Sequence, residues 1–216
     1  MMCLRKPSDS DIRQYLRDRK EEPFLYKNVY GTRDYPNKLD YEQDPKYKQF
    51  DIDQIRIKLG TGQECFDKAV KALKEWKHFD LDWVEFCFKD IPILVGETVG
   101  ILSKQMGFWI LSFCRINYVY DGPQEDGTVK FGYSYGTLKE HVEKGEERFI
   151  IDWLREPDAP LDSGDVYFEM LSFSEPQHWM SQLGYPVARY FQNKFTLGSV
   201  NSMLKSVGSS NLVKDI

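Results

Sequence analysis

Thr137, His141, Glu143, Glu146, Glu147 and Arg148 crowd one short stretch of the chain, where aromatic–small alternation breaks into a charged run and then resumes as a strand. A histidine among carboxylates suits general acid–base chemistry, because its pKa lies near neutrality. One reading makes this stretch the mouth of a polar pocket. The other, favoured on sequence alone, is a tight turn held by Gly136 and Gly145, with Arg148 or Arg115 paired to Glu146 or Glu147. Alternation along residues 108–120 sets Arg115 on the same side as Trp109, Leu111 and Phe113. If that side is interior, Arg115 needs a carboxylate or anionic partner, since an isolated buried charge is very costly. Arg115 is therefore the leading candidate to meet the acidic group of a ligand.

Other chemistries find less support. Tyr133-Ser134-Tyr135 lacks the Gly-x-Ser-x-Gly elbow and reads as strand. Gly60-Thr61-Gly62 lacks the longer glycine fingerprints and the P-loop lysine, so it is read as a helix start with Thr61 and Glu64 forming a capping box. The histidines are isolated from one another. His78 ends a helix, where a cation favours the dipole, and His178 beside Trp179 is read as a surface or packing residue. No metal site and no cofactor are expected. Cys3, Cys65, Cys87 and Cys114 contain no Cys-x-x-Cys pair, which fits reduced thiols and a cytoplasmic setting.

The elements that must position these residues are legible from periodicity. Residues 8–20 form a short helix capped by Ser8 or Ser10, with Ile12, Tyr15 and Leu16 on one face and Pro23 beyond it. Residues 24–50, rich in tyrosine, proline, asparagine and aspartate, form a long strap that packs its tyrosines on the surface; a pocket cover is the alternative. Ile55, Ile57 and Leu59 alternate as one face of a strand, and Phe66, Ala69, Val70, Leu73 and Trp76 stripe the following helix. Six strands follow at residues 83–88, 97–103, 108–120, 129–138, 148–155 and 166–173, with reversals at 121–127, Lys144-Gly145 and 163–165. The final helix starts with Pro186 in its first turn, runs to about Lys205, and sets Leu183, Val187, Tyr190, Phe191, Lys194 and Gly198 along one side. At about 30 Å it is long enough to cross a small domain.

The formal charge of -5 argues against sequence-independent nucleic-acid binding. Pro7-Ser8-Asp9 interrupts the N-terminus before any secretory apolar region, and no run approaches the ~20 apolar residues of a membrane-spanning helix. The division expected is an N-terminal helix and strap at 1–49, a main domain at 50–207 and a frayed tail at 208–216.

The fold class expected is α+β: a curved antiparallel sheet of about seven strands gripping a long C-terminal helix. This order of elements resembles the helix-grip superfamily of birch-pollen allergens and START-related proteins. Particular motifs resemble the family known as domain of unknown function nineteen-ninety. They are Asn28-Val29-Tyr30-Gly31-Thr32, Leu59-Gly60-Thr61-Gly62, Gly96-Glu97-Thr98-Val99, Tyr135-Gly136-Thr137-Leu138 with His141, Gly145-Glu146-Glu147-Arg148-Phe149 and Phe173-Ser174-Glu175-Pro176. Glu175 stands where that family usually has a basic residue. The resemblance implies a fold and brings no reaction.

The functional expectation is a cavity between sheet and final helix that binds a hydrophobic or amphipathic small molecule. Arg115, Thr137, His141, Glu146, Glu147 and Arg148 would supply polar contacts, and Tyr133, Tyr135, Trp109 and Trp153 would line or frame it. Two alternatives stand beside it. One is an enzyme using His141 with Glu146 or Glu147 as acid and base. The other is a membrane-associated or pore-forming β protein of an organelle envelope, disfavoured by the charged alternation of Gln54, Arg56 and Lys58.

Overall fold

The computed structural model describes residues 1–35, 37–156, 158–177 and 184–215; His178, Trp179 and Leu183 lie outside them. After a two-residue strand β1 (Met2–Cys3), helix α1 (Asp9–Asp18) begins at Ser8, whose hydroxyl accepts from Asp11 N. The strap follows, containing the short helices α2 (Gly31–Asp34) and α3 (Lys38–Gln43). Then come β2 (Asp51–Thr61), α4 (Gly62–Lys74), β3 (Val84–Cys87), β4 (Thr98–Gln105), β5 (Phe108–Pro123), β6 (Val129–Thr137), β7 (Glu143–Leu154), β8 (Asp165–Pro176) and α5 (Tyr185–Ser206).

The sheet is antiparallel throughout and ordered β2-β8-β7-β6-β5-β4-β3, with β1 paired to the start of β5. The last strand therefore returns beside β2. This α+β architecture, a curved sheet gripping the final helix, is the one expected, but α4 shares the inner face with α5. Leu59, Phe131, Phe149, Ile151, Trp153 and Phe168 point to that face and meet Ala69, Leu73, Trp76, Val200 and Met203.

The opposite face is covered by the N-terminal segment. Ile12 and Leu16 of α1 pack on Leu102, Leu111 and Phe113, while Tyr26, Tyr41 and Tyr47 of the strap gather around Leu171 and Phe173. The strap is thus a surface strap, and it does not border the cavity described below.

Four local expectations are corrected. The run Glu143–Arg148 is strand, not turn, and the reversal before β7 is the bend at residues 138–142, where Glu140 has a φ of 69°. Gly145 and Gly136 accordingly hold no turn. A Cβ on Gly145 would collide with the Phe173 carbonyl, and one on Gly136 with the Tyr26 hydroxyl, so glycine here permits close approach. Thr61 is the N-cap of α4 but its side chain makes no capping bond. Gly62 N and Gln63 N instead donate to Gly164 O (2.9 Å) and Leu161 O (2.7 Å), which occupies the amides that a phosphate would need. The tail is not wholly frayed, because Val213 exchanges two hydrogen bonds with the Asn201 side chain.

The face of α5 also differs from expectation. Val187 and Tyr190 are exposed, while Ser199, Val200, Met203 and Leu204 are buried. Apolar residues surround this helix on all sides, so periodicity could not select the inward one.

Candidate functional site

The two halves of α5 meet different surroundings. Its C-terminal half is fixed by Ser199 Oγ donating to His78 O (2.7 Å) and Ser202 Oγ donating to Lys77 O (2.6 Å), over a filled aromatic core. Trp76, Phe79, Tyr133 and Phe149 make up much of that core. The N-terminal half spans a cavity of about 220 Å³ between itself and the inner face of the sheet. Arg189 anchors this half to β2 through two bonds to Asp53 (2.6 and 2.7 Å), and Tyr185 donates to Asp51 (2.9 Å).

Strand alternation decides which side chains reach the cavity. Along β7, Glu143 and Glu147 share the inner face with Phe149, Ile151 and Trp153, whereas Glu146 and Arg148 turn to the other side. On β6 the inner positions are Tyr135 and Thr137, and on β8 they are Ser172 and Ser174. Ala188, Phe191, Gln192 and Phe195 of α5 form the roof, and Phe79, Trp83, Val84, Ile101 and Ile110 form the wall toward β3, β4 and β5.

The polar chemistry of the cavity is carboxylate chemistry. Glu147 Oε2 accepts from the Tyr135 hydroxyl (2.7 Å), and Glu143 Oε1 accepts from Gln192 Nε2 (2.7 Å). Burial pushes the Glu147 carboxyl up to about 7; Tyr135 opposes the rise, while Glu143 and Asp53 add to it. Burial also raises Glu143, opposed by Gln192 and Arg189. His141 borders the same space, but its Nδ1 lies against the backbone of Glu143 (2.9 Å to O, 3.1 Å to N), bracing the bend. Burial pushes its pKa down to about 4, so the ring is neutral near pH 7. Among the described residues no group of three His, Cys, Asp or Glu is placed to hold a metal ion.

The opposite face carries a separate polar cluster that ties the strap to the sheet. Glu146 accepts from Tyr26 Oη (2.8 Å), Tyr30 N (2.9 Å), Thr32 N (2.9 Å), Asn117 Nδ2 (2.8 Å) and Thr32 Oγ1. A bulge between Ile116 and Tyr118 brings Asn117 and Tyr118 together here, and the Tyr118 hydroxyl bonds Thr32 Oγ1 (2.7 Å). Arg148 pairs with Glu169 and donates to Thr32 O, while Arg56 bridges Glu169 (3.0 Å) and Asp152 (2.7 Å).

A family model described as Domain of unknown function (DUF1990) matches residues 34–202. The chain belongs to the DUF1990 family. It is 70% identical over 216 residues to a UPF0548 protein of Dictyostelium discoideum, with both chains fully covered. A UPF0548 protein of Arabidopsis thaliana is 32% identical over 209 residues, covering 95% of this chain and 97% of that one. Among solved structures, the protein titled Ara h 8.0201 is similar with a TM-score of 0.43 and 10% identity, over 73% of this chain and 97% of that one. Human STARD10 is similar with a TM-score of 0.42 and 9% identity, over 94% and 80%.

In this DUF1990 chain the residues singled out from sequence divide into three groups. Tyr135, Thr137, His141 and Glu147 border the cavity. Tyr133 and Trp153 lie on the same face but in the filled core: the Tyr133 hydroxyl bonds His78 Nε2 (2.7 Å), and Trp153 stacks on Phe66 and donates to Ser163 O (3.0 Å). Arg115, Trp109, Glu146 and Arg148 direct their side chains to the opposite face. Arg115 donates to Lys20 O (2.8 Å) and Glu22 O (2.7 Å) and lies over Phe24, so backbone carbonyls satisfy it instead of a ligand anion. Trp109 sits between Lys6 and Lys104 beside β1.

His78 corrects another expectation. It is fully buried in a 3-10 turn, and burial lowers its pKa to about 3, so it is a neutral partner for Tyr133 and no helix-end cation. Asp53, Ser172, Ser174 and Gln192 were not among the sequence candidates. Asp53 shares the parity of Ile55 and Ile57, and Glu143 that of Phe149, a signal available once β2 and β7 are extended to their true starts.

Proposed function

We propose that this protein binds a hydrophobic or amphipathic small molecule between its sheet and the N-terminal half of α5. The observation that supports this reading is the half-filled grip: a cavity of about 220 Å³, walled by aromatics and aliphatics and carrying a few convergent polar groups, beside the packed aromatic core under the C-terminal half of α5. The test is native purification followed by extraction and mass spectrometry, with uptake of the neutral dye N-phenyl-1-naphthylamine measured in parallel. Ala188→Trp, which fills the roof without removing a hydrogen bond, is the comparison. A compound or dye held by the wild type and lost in Ala188→Trp supports the proposal; neither being held by a folded wild-type protein defeats it.

Acid–base catalysis is a second reading, and one observation favours it. Glu147, an enclosed carboxyl with a pKa near 7 beside a tyrosine hydroxyl, has the properties of a general base. His141 does not, since its ring braces the bend. Loss of turnover in Glu147→Gln with binding retained would separate catalysis from carriage. A pore-forming role finds no support in the geometry. The sheet is an open path ending at β2 and β3 with helices or the strap over both faces, whereas a membrane barrel is closed. No helix among the described residues is long and apolar enough to cross a membrane.

A further inference from the structure

The cavity has two chemically different ends. Toward β2, β8 and β7 it is bordered by Asp53, Glu143 and Glu147; toward β5, β4 and β3 it is bordered by Trp83, Ile101 and Ile110, with the uncharged Ser103 and Ser112. From β7 to β4 is three inter-strand spacings, about 14 Å. Three enclosed carboxylates elsewhere have several donors or a cation: Glu146 has five donors, Glu169 has Arg56 and Arg148, and Asp152 has Arg56 on one oxygen. Arg189, next to the lining residue Ala188, is engaged by Asp53. Glu147 has the single Tyr135 hydroxyl and Glu143 the single Gln192 amide, and among the described residues neither forms an ion pair.

Resting on the cavity-binding reading, we infer that the ligand is an amphiphile with a protonated amine at its polar end, seated between Glu147 and Glu143 with its apolar chain directed toward Trp83 and Ile101. A carboxylate head would bring like charges together beside Glu147 and Glu143, where repulsion is stronger than in bulk water. An alcohol supplies one donor and no charge. An ammonium supplies three donors and the missing positive charge, and charge-assisted bonds are the stronger kind. The cavity therefore selects against fatty acids and for alkylamines of the same length.

The test is calorimetric titration of the intact chain at about pH 8 with octylamine, octanol and octanoate, repeated on Glu147→Gln. Octylamine is expected to bind roughly tenfold or more tighter than octanol, with octanoate weakest. In Glu147→Gln octylamine loses roughly tenfold while octanol changes by less than about twofold, because only the charged contact is removed. Octanoate binding as well as octylamine, or octylamine unaffected by Glu147→Gln, overturns the inference and leaves the cavity reading intact. Failure of all three ligands, together with failure to take up the neutral dye, overturns the cavity reading itself and the inference with it.

Discussion

Replacing Glu147 by glutamine separates the energetic cost of this carboxyl from the rest of the molecule. Folding raises its pKa from 4.5 to about 7, chiefly by burial. Within that window the folded protein keeps a proton that the unfolded chain releases, so the carboxyl's contribution to stability is present below 4.5 and is lost as pH rises toward 7. At 1.36 kcal/mol per pKa unit the whole window amounts to about 3 kcal/mol, of which about 2.5 kcal/mol falls between about pH 5 and about pH 8. This is an upper figure, because Glu147 borders a cavity and is only partly buried. Glutamine has no proton to lose and still accepts from the Tyr135 hydroxyl through its amide oxygen. The stability difference, variant minus wild type, therefore grows with pH by about 2.5 kcal/mol, or about 5–10 °C in Tm for a chain of this length. Urea denaturation and thermal melting of both proteins in parallel across that range measure it, and the histidines titrate in both proteins and cancel. A difference that is flat with pH, or that shrinks as pH rises, would refute the enclosure of Glu147 and with it the acidic wall of the cavity.

The neighbouring residue behaves oppositely. Glu146→Ala strands the donors of Tyr26, Tyr30, Thr32 and Asn117 and is expected to cost about 3–5 kcal/mol, with hydrogen exchange at the Tyr30 and Thr32 amides accelerating together; a loss below about 1 kcal/mol would show that the strap is held otherwise. Arg115→Ala is expected to leave dye and ligand affinity unchanged and to lower stability by about 1–2 kcal/mol, through lost bonds to Lys20 O and Glu22 O; a selective loss of binding by a stable variant would return Arg115 to the site. His78 is depressed from 6.5 to about 3, so its contribution is present above 6.5 and is lost as pH falls toward 3. Measured by circular dichroism, His78→Phe should unfold at lower pH than the wild type relative to its own neutral stability, and an unchanged acid slope would show that His78 is not the buried neutral imidazole described.

Much of the architecture was legible because each β-strand with one covered face writes period 2 into the chain, and each reversal demands particular residues. The strands β2 to β8 and the helices α1, α4 and α5 were legible from such signals, among them Ile55-x-Ile57-x-Leu59, the Ala69–Leu73 stripe, Asp126-Gly127 and Pro186. The boundaries were less legible. Residues 143–148 are charged enough to read as turn, and they form strand because Glu146 and Arg148 find partners from the strap and from β8. Those partners are distant in sequence, so local composition could not announce them.

The candidate site shows the same division. The chain by itself determined that Thr137, His141, Glu146, Glu147 and Arg148 would be neighbours, that Arg115 shares a side with Trp109, Leu111 and Phe113, and that a curved sheet would grip a final helix. Tertiary structure decided which face of that sheet the helix covers. Once α5 and α4 lie on the face of Phe149 and Ile151, parity sends Glu147 into the cavity and Glu146, Arg148 and Arg115 under the N-terminal segment. Alternation fixes which side chains share a face, but it is symmetric between the two faces; only long-range packing breaks that symmetry.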